Sequence, residues 1–231
     1  MADPVSNMPG VGRLLLVRHG QASFGAADYD VLSDVGHEQG RRLGAWLAGQ
    51  GVRPTAVLRG GLRRHRETLA AMVEGAGWGD PDVVVDEGWD EFDHLAVVEG
   101  YTDLAASGLD RRAFQRAFEE ATARWVAGVG EHAESHAEFT ARIDGALARA
   151  LEHAGPDRTA VVVTSGGPIG VVAARLADPD ADAAGRGRLW GRLNATLVNA
   201  GVTRVLVGST GARLLTLNEH SHLAGDHLTY R

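Results

Sequence analysis

Apolar positions along the chain fall into short continuous runs and longer stretches of roughly helical spacing, and the two kinds alternate. Arg13 to Val17 (RLLLV) reads as a short apolar strand. Ser33-Asp34 then opens a stretch in which Val35, Leu43, Trp46 and Leu47 recur at helical spacing as far as Gly49 and Gly51. Thr55 to Leu58 is a second strand, and Leu62, Leu69 and Met72 mark one face of the helix that follows it. Val83 to Val85 is a third strand. Residues 92–154 lack strand signals and hold helical patterns over Arg111 to Val126 and Ser135 to His153, so a helical insertion at about 92–135 is expected to cover the sheet. TAVVVT at 159–164 reads as a strand buried on both faces, running into the turn SGGP and another helix. Val202 to Val207 and Arg213 to Leu217, separated by GSTGA, form a hairpin pattern. Strands alternating with helices predict one α/β domain over 13–231, preceded by a loose tail at 1–12. Its architecture is a three-layer α/β/α sandwich with a mostly parallel sheet and an antiparallel edge strand.

Composition narrows what such a domain does. The 231 residues contain no cysteine, which removes disulfide frameworks, zinc-thiolate sites and cysteine nucleophiles. All 23 basic residues are arginine against 30 acidic ones, for a net charge of −7. A nucleic-acid partner is therefore not expected, and any anion site must come from locally gathered arginines. No apolar run reaches the ~20 residues of a membrane helix, and MADPVSNMPGVG has neither the basic start nor the apolar core of an export signal. A cytoplasmic location without a membrane partner is the expectation.

The chemistry begins where the first strand ends, at Arg18-His19-Gly20-Gln21. In open α/β sheets ligands bind at the carboxyl ends of strands. There an arginine fork can grip an oxyanion, a neutral imidazole can attack phosphorus, and glycine lets the backbone approach. A second basic group, Arg63, Arg64 and Arg66, stands at a predicted helix start where the helix dipole also favours an anion; spacing alone does not choose among the three. Glu87, Asp90 and Glu91 supply acids after the third strand. Ser165, Gly166 and Gly167 form a turn whose amides and hydroxyl can hold an oxyanion. His220 and His222 close the last strand, and either could present an imidazole to the same site. One His-x-His with nearby acids lacks the ligand set of a zinc site, so no metal is assigned.

LLLVRHGQ resembles the signature strand of the histidine phosphatase superfamily, which includes the cofactor-dependent phosphoglycerate mutases. TAVLRGGLRRHRETLAAM is similar to the family segment in which an arginine precedes a Gln-Thr or Glu-Thr pair, and Arg64 takes that arginine's place. The segment departs from the pattern at Arg59 and Gly60, and His65 stands where alanine is usual. Trp89-Asp90-Glu91 resembles the segment carrying the proton-donating acid, which assigns that role to Glu91. VVVTSGGPI looks like the segment whose strand end carries Ser-His-Gly, but Ser165 occupies the histidine's position. Losing a charge-assisted donor there costs about 2 to 4 kcal/mol of transition-state stabilisation. The segment at 22–30 also lacks the hydroxyl residue and Trp-Asn pair of the mutases, Ala22, Phe24 and Gly25 standing there instead, while Phe24 and Tyr29 could line a substrate pocket.

The resemblance implies a phosphatase that hydrolyses small-molecule phosphate monoesters through a phosphohistidine intermediate, without metal or cofactor. His19 is the implied nucleophile and Glu91 the acid-base; Arg18, Arg64, Ser165 and Gly166 bind phosphate, with His220 as a further candidate. A catalytically weakened phospho-ligand binding module and a mutase-like phosphoryl transferase are the alternatives. Pairing of the terminal edge strands could make a homodimer.

Overall fold

The computed structural model describes residues 9–23, 30–99, 101 and 111–230. Six strands form one sheet: β1 (Gly12–Arg18), β2 (Ala56–Arg59), β3 (Val83–Val85), β4 (Thr159–Thr164), β5 (Val202–Gly208) and β6 (Gly211–Glu219), in the order β3-β2-β4-β1-β5-β6. The first four are mutually parallel, whereas β5 runs against β1 and β6 against β5. The terminal hairpin thus closes one side, as its turn residues predict. β1 starts one residue earlier than the apolar run, at Gly12, and the Gly10 N–H is held by Asp157 Oδ1 at 2.8 Å. Residues 9–12 therefore belong to the fold; the rest of the expected tail lies outside the described residues.

Alternation along the strands builds the layers. Leu15, Val17, Val57, Val161, Val163 and Val202 point to one face, and there α1 (Asp34–Gly49) and α2 (Arg63–Ala76) cover them with Leu43, Leu47, Leu69 and Met72. Leu14, Leu16, Leu58, Ala160, Val162 and Val205 point to the other face. It is covered by α3 (His94–Glu99), α4 (Arg111–Val126), α5 (His136–His153), α6 (Gly166–Ala177) and α7 (Ala183–Asn194). Both predicted starts hold: Ser33 accepts from the Gly36 N–H, and Ser135 and Glu138 form a reciprocal capping box. Helix α7 has no counterpart in the apolar pattern. Its sequence AAGRGRLWGRLN spaces glycine and arginine around only two buried residues, Gly187 and Trp190, so packing rather than propensity makes it helical.

The helical segment between β3 and β4 docks through aromatics. Phe92 stacks on Trp125 with ring centres 4.6 Å apart and meets Phe139 edge-on at 5.5 Å. Trp190 closes the cluster and donates to the Gly167 carbonyl at 3.0 Å, tying the covering layer to the turn after β4. Among the described residues no helix is long and apolar enough to cross a membrane.

Candidate active site

The parallel pairing of β1 with β4 brings two predicted segments side by side. Arg18 pairs with Thr164, and the His19 N–H donates to the Thr164 carbonyl at 2.8 Å, so His19 and Ser165 leave neighbouring strand ends together. The His19 backbone is fixed on its other side as well. Its carbonyl accepts from the Ala200 N–H at 3.2 Å and from Asn199 Nδ2 at 3.3 Å. Gly20 N–H donates to Thr68 Oγ1, whose hydroxyl in turn donates to the Arg64 carbonyl at 2.7 Å. The strand end and the first turn of α2 are thereby locked to each other.

The imidazole of His19 is buried at 7% exposure. Its Nδ1 lies 2.7 Å from the Gly20 carbonyl, which can only accept, so the ring proton sits on Nδ1 and the lone pair on Nε2. Burial, reinforced by the positive charges of Arg64 and Arg18 and by His65, holds its pKa well below that of an ordinary histidine. At neutral pH the ring is a neutral base with a defined tautomer.

Two guanidinium groups flank it. Arg18 Nη1 donates to the carbonyls of Leu197 and Tyr230, the latter at 3.0 Å. Arg64, also buried, pairs through Nη1 with Asp30 at 2.8 Å. Asp30 further accepts the Arg63 N–H at 2.7 Å, so one carboxylate both orients Arg64 and satisfies the start of α2. Of the three arginines that spacing leaves open, Arg64 is thus the one turned inward: Arg63 instead pairs along the helix with Glu67 at 2.6 Å, and Arg66 is exposed. Phe24 and Tyr29 lie outside the described residues.

Glu91 reaches the same place from the loop after the 3₁₀ turn Glu87–Trp89. Its Oε2 accepts the Gly167 N–H at 3.0 Å and its Oε1 the Phe92 N–H at 3.2 Å. Burial raises its pKa above the usual glutamate value, against the lowering effect of the Gly167 N–H, Arg64 and Arg18. Gly167 has to be glycine for this approach, since a Cβ there would stand 2.0 Å from Glu91 Oε1. The loop is clamped from α5 by Arg142, which donates to the carbonyls of Glu87, Gly88 and Asp90 at 3.3, 3.2 and 2.9 Å. Glu87 and Asp90, the rival acids, have other surroundings. Glu87 is exposed, and Asp90 accepts the Gly61 N–H at 2.6 Å.

Ser165 is fully buried at the N-cap of α6, yet its hydroxyl makes no capping bond. It is held by His65, whose Nε2 lies 2.8 Å from Ser165 Oγ. The ring of His65 is 0% exposed, with its centre 5.9 Å from that of His19. The residue that only registers in the sequence as a departure from a pattern therefore brings an imidazole beside the one Ser165 lacks. Its pKa is lowered well below the usual value by burial and by Arg64 and Arg59. His220 and His222 are engaged elsewhere: His220 Nδ1 bonds the Asn218 carbonyl at 2.6 Å, while His222 Nε2 bonds that of Ala200 at 3.0 Å and its ring lies against Trp46. Neither is among the groups whose charge acts on His19.

Known proteins match this arrangement in fold and in part in sequence. A 2,3-bisphosphoglycerate-dependent phosphoglycerate mutase of Methylorubrum extorquens (strain PA1) is 30% identical over 119 residues, 48% of this chain and 48% of that protein. The alignment thus spans about half the length of the curated relative. The complex of a mycobacterial glucosyl-3-phosphoglycerate phosphatase with inorganic phosphate superposes with a TM-score of 0.63 at 25% identity, covering 92% of this chain and 100% of the other. A phosphoglycerate mutase from Bacillus anthracis str. Sterne gives 0.64 at 16% identity, with 93% and 96% covered, a likeness of fold. The sequence pattern of one family runs over residues 14–220 and so includes both strand ends, Arg64 and Glu91: the chain belongs to the histidine phosphatase superfamily (branch 1).

Proposed function

We propose that the protein is a phosphatase acting on phosphate monoesters through a covalent phosphohistidine at His19. The observation that carries this reading is the Nδ1 bond to the Gly20 carbonyl, which leaves a neutral, buried imidazole with its Nε2 lone pair available to an electrophile. Nε2 attacks phosphorus in line. The N–P bond forms as the ester P–O bond breaks, and Glu91 gives its proton to the departing alkoxide. Glu91, now a carboxylate, takes a proton from water, whose oxygen attacks the phosphohistidine; the P–N bond breaks and inorganic phosphate leaves. Arg18 and Arg64 hold the non-bridging oxygens and offset the charge that gathers on them. The two pKa shifts run in the directions these roles need: burial lowers that of His19, favouring the neutral nucleophile, and raises that of Glu91, favouring the protonated acid.

A mutase reading is favoured by the 30% identical relative, but the segment after Gln21 lacks the residues that mutases carry there. Turnover of a panel of alkyl and aryl phosphates by purified protein, beside interconversion of 2- and 3-phosphoglycerate, separates the two. Hydrolysis without interconversion is expected. Interconversion at a rate matching hydrolysis would replace this reading with the mutase one, and tight phosphate binding without turnover would replace it with a binding module.

A further inference from the structure

His65 is a fully buried titratable ring that the steps above do not use, although its centre lies only 5.9 Å from that of the nucleophile. Its two nitrogens face different partners. Nε2 meets Ser165 Oγ at 2.8 Å, and Nδ1 looks toward Asp90 Oδ1 at 3.6 Å. The slot between ring and carboxylate is kept open by Gly60, where a Cβ would fall 2.4 Å from Nδ1 and 2.5 Å from Asp90 Oδ1. Ser165 in turn follows directly on Thr164, whose carbonyl holds the His19 N–H, so Ser165 and His19 leave neighbouring strand ends side by side.

We propose that His65 is a proton-carrying positioning residue that switches the Ser165 hydroxyl from His65 toward the bound phosphoryl group, a role that rests on the phosphatase reading of the same site. With a carboxylate facing Nδ1, the single proton of a neutral ring belongs there, so Nε2 accepts and the Ser165 O–H points at His65. When the ring takes a second proton, Nε2–H donates to Ser165 Oγ. The hydroxyl hydrogen is then released to an oxygen of the phosphoryl group, and the imidazolium lies between Asp90 and Ser165. The charged groups facing the ring are Arg59 from β2, Arg64 from its own helix and Asp90 from the Glu91 loop, and the one titratable neutral neighbour is the His19 imidazole at the end of β1 among the described residues; Ser165 from the α6 side does not titrate. With the site empty, burial and the two arginines keep the second proton off. An arriving phosphate supplies the negative field that lets it on, and the proton is taken up from solvent.

The test is proton uptake on binding inorganic phosphate, measured by titration calorimetry in buffers of different ionisation enthalpy, for the whole protein and its His65→Gln variant. The glutamine amide can donate to Ser165 through its NH2 group but takes up no proton near neutral pH. Near pH 7 the natural protein should take up more protons than the variant, by as much as one. Equal counts overturn the proposal, and the measurement needs no turnover, so it stands apart from the phosphatase reading. Kinetics give the second arm, with an aryl phosphate as substrate. His65→Ala should lower kcat about 100-fold, as loss of an oxyanion donor does, with little change in KM. Ser165→Ala should do the same, and the double variant no worse than either. His65→Gln should recover at least tenfold of that loss. Wild-type kcat in His65→Ala, multiplying losses in the double variant, or a folded His65→Gln as slow as His65→Ala each overturns it. If His65→Ala does not fold, the His65→Gln comparison still decides.

Discussion

Gly167→Ala separates the position of the acid from the stability of the fold. The added Cβ would lie 2.0 Å from Glu91 Oε1 and 3.1 Å from Phe139 Cζ. Phe139 is core and can yield a few tenths of an ångström, whereas the carboxylate has to retreat by about 1.4 Å to reach ordinary contact, a misplacement that costs about 100-fold in rate. The helix meanwhile gains up to about 1 kcal/mol from alanine in place of glycine, which the Phe139 contact offsets in part. The expected signature is therefore a protein of near wild-type melting temperature with a selective defect. The value of kcat/KM for an alkyl phosphate, whose alkoxide needs a proton to leave, should fall about 100-fold, but that for a nitrophenyl phosphate, whose phenoxide leaves unaided, by less than tenfold. Phosphoryl transfer to His19 is what kcat/KM reports here, so the later use of Glu91 as a base does not confuse the comparison. Wild-type kcat/KM on the alkyl ester would refute the placement of Glu91 as the proton donor. An equal loss on both esters would refute the leaving-group role and point to damage at the phosphate site.

Other consequences follow from the same geometry. His19→Ala should abolish hydrolysis of aryl phosphates with an unchanged circular dichroism spectrum. His19 and His65 have lowered pKa values in the fold, so below about pH 6.5 the unfolded chain binds the extra protons. Stability is then full above that pH and declines as the pH falls, by up to about 1.4 kcal/mol per unit for each ring. Urea midpoints at pH 8 and 5.5 measure the slope, which should flatten in His65→Gln. Arg142→Ala releases the clamp on the Glu91 loop; it should cost about 2 kcal/mol in urea unfolding and lower kcat/KM on an alkyl ester more than on an aryl one. His220→Ala should turn over at the wild-type rate, a result checked on either ester.

Much of this site can be read from residue order because it is built on strand ends. Continuous apolar runs reveal β1 and β4, and the first residues after each run have to emerge at the carboxyl edge, which is how Arg18, His19 and Ser165 are found without coordinates. Their adjacency is less legible, since two strands and the whole helical segment lie between β1 and β4 along the chain and only the strand order makes them neighbours. Arg64 is hidden among three arginines; the deciding feature is the pairing with Asp30, a long-range contact that leaves no local signal. His65 is the clearest gap. Its sequence trace is one histidine in place of alanine on the same helix turn as Arg64, and its meaning appears only when β4 brings Ser165 within 2.8 Å of its ring. Reading the two departures as a pair, a histidine gained at the start of α2 and lost at the end of β4, is the signal that could have found it. The terminal histidines attract notice for their number, yet each is used by a local carbonyl.

Rapid-quench labelling with a ³²P-labelled aryl phosphate, followed by peptide mapping under alkaline conditions that preserve phosphohistidine, reaches the central claim directly. Radioactivity should accumulate within the first turnover on the peptide containing His19, disappear on brief acid treatment, and be absent from the His19→Ala protein. Hydrolysis that proceeds at the natural rate with no label on the protein, or with the label on Ser165, would contradict it.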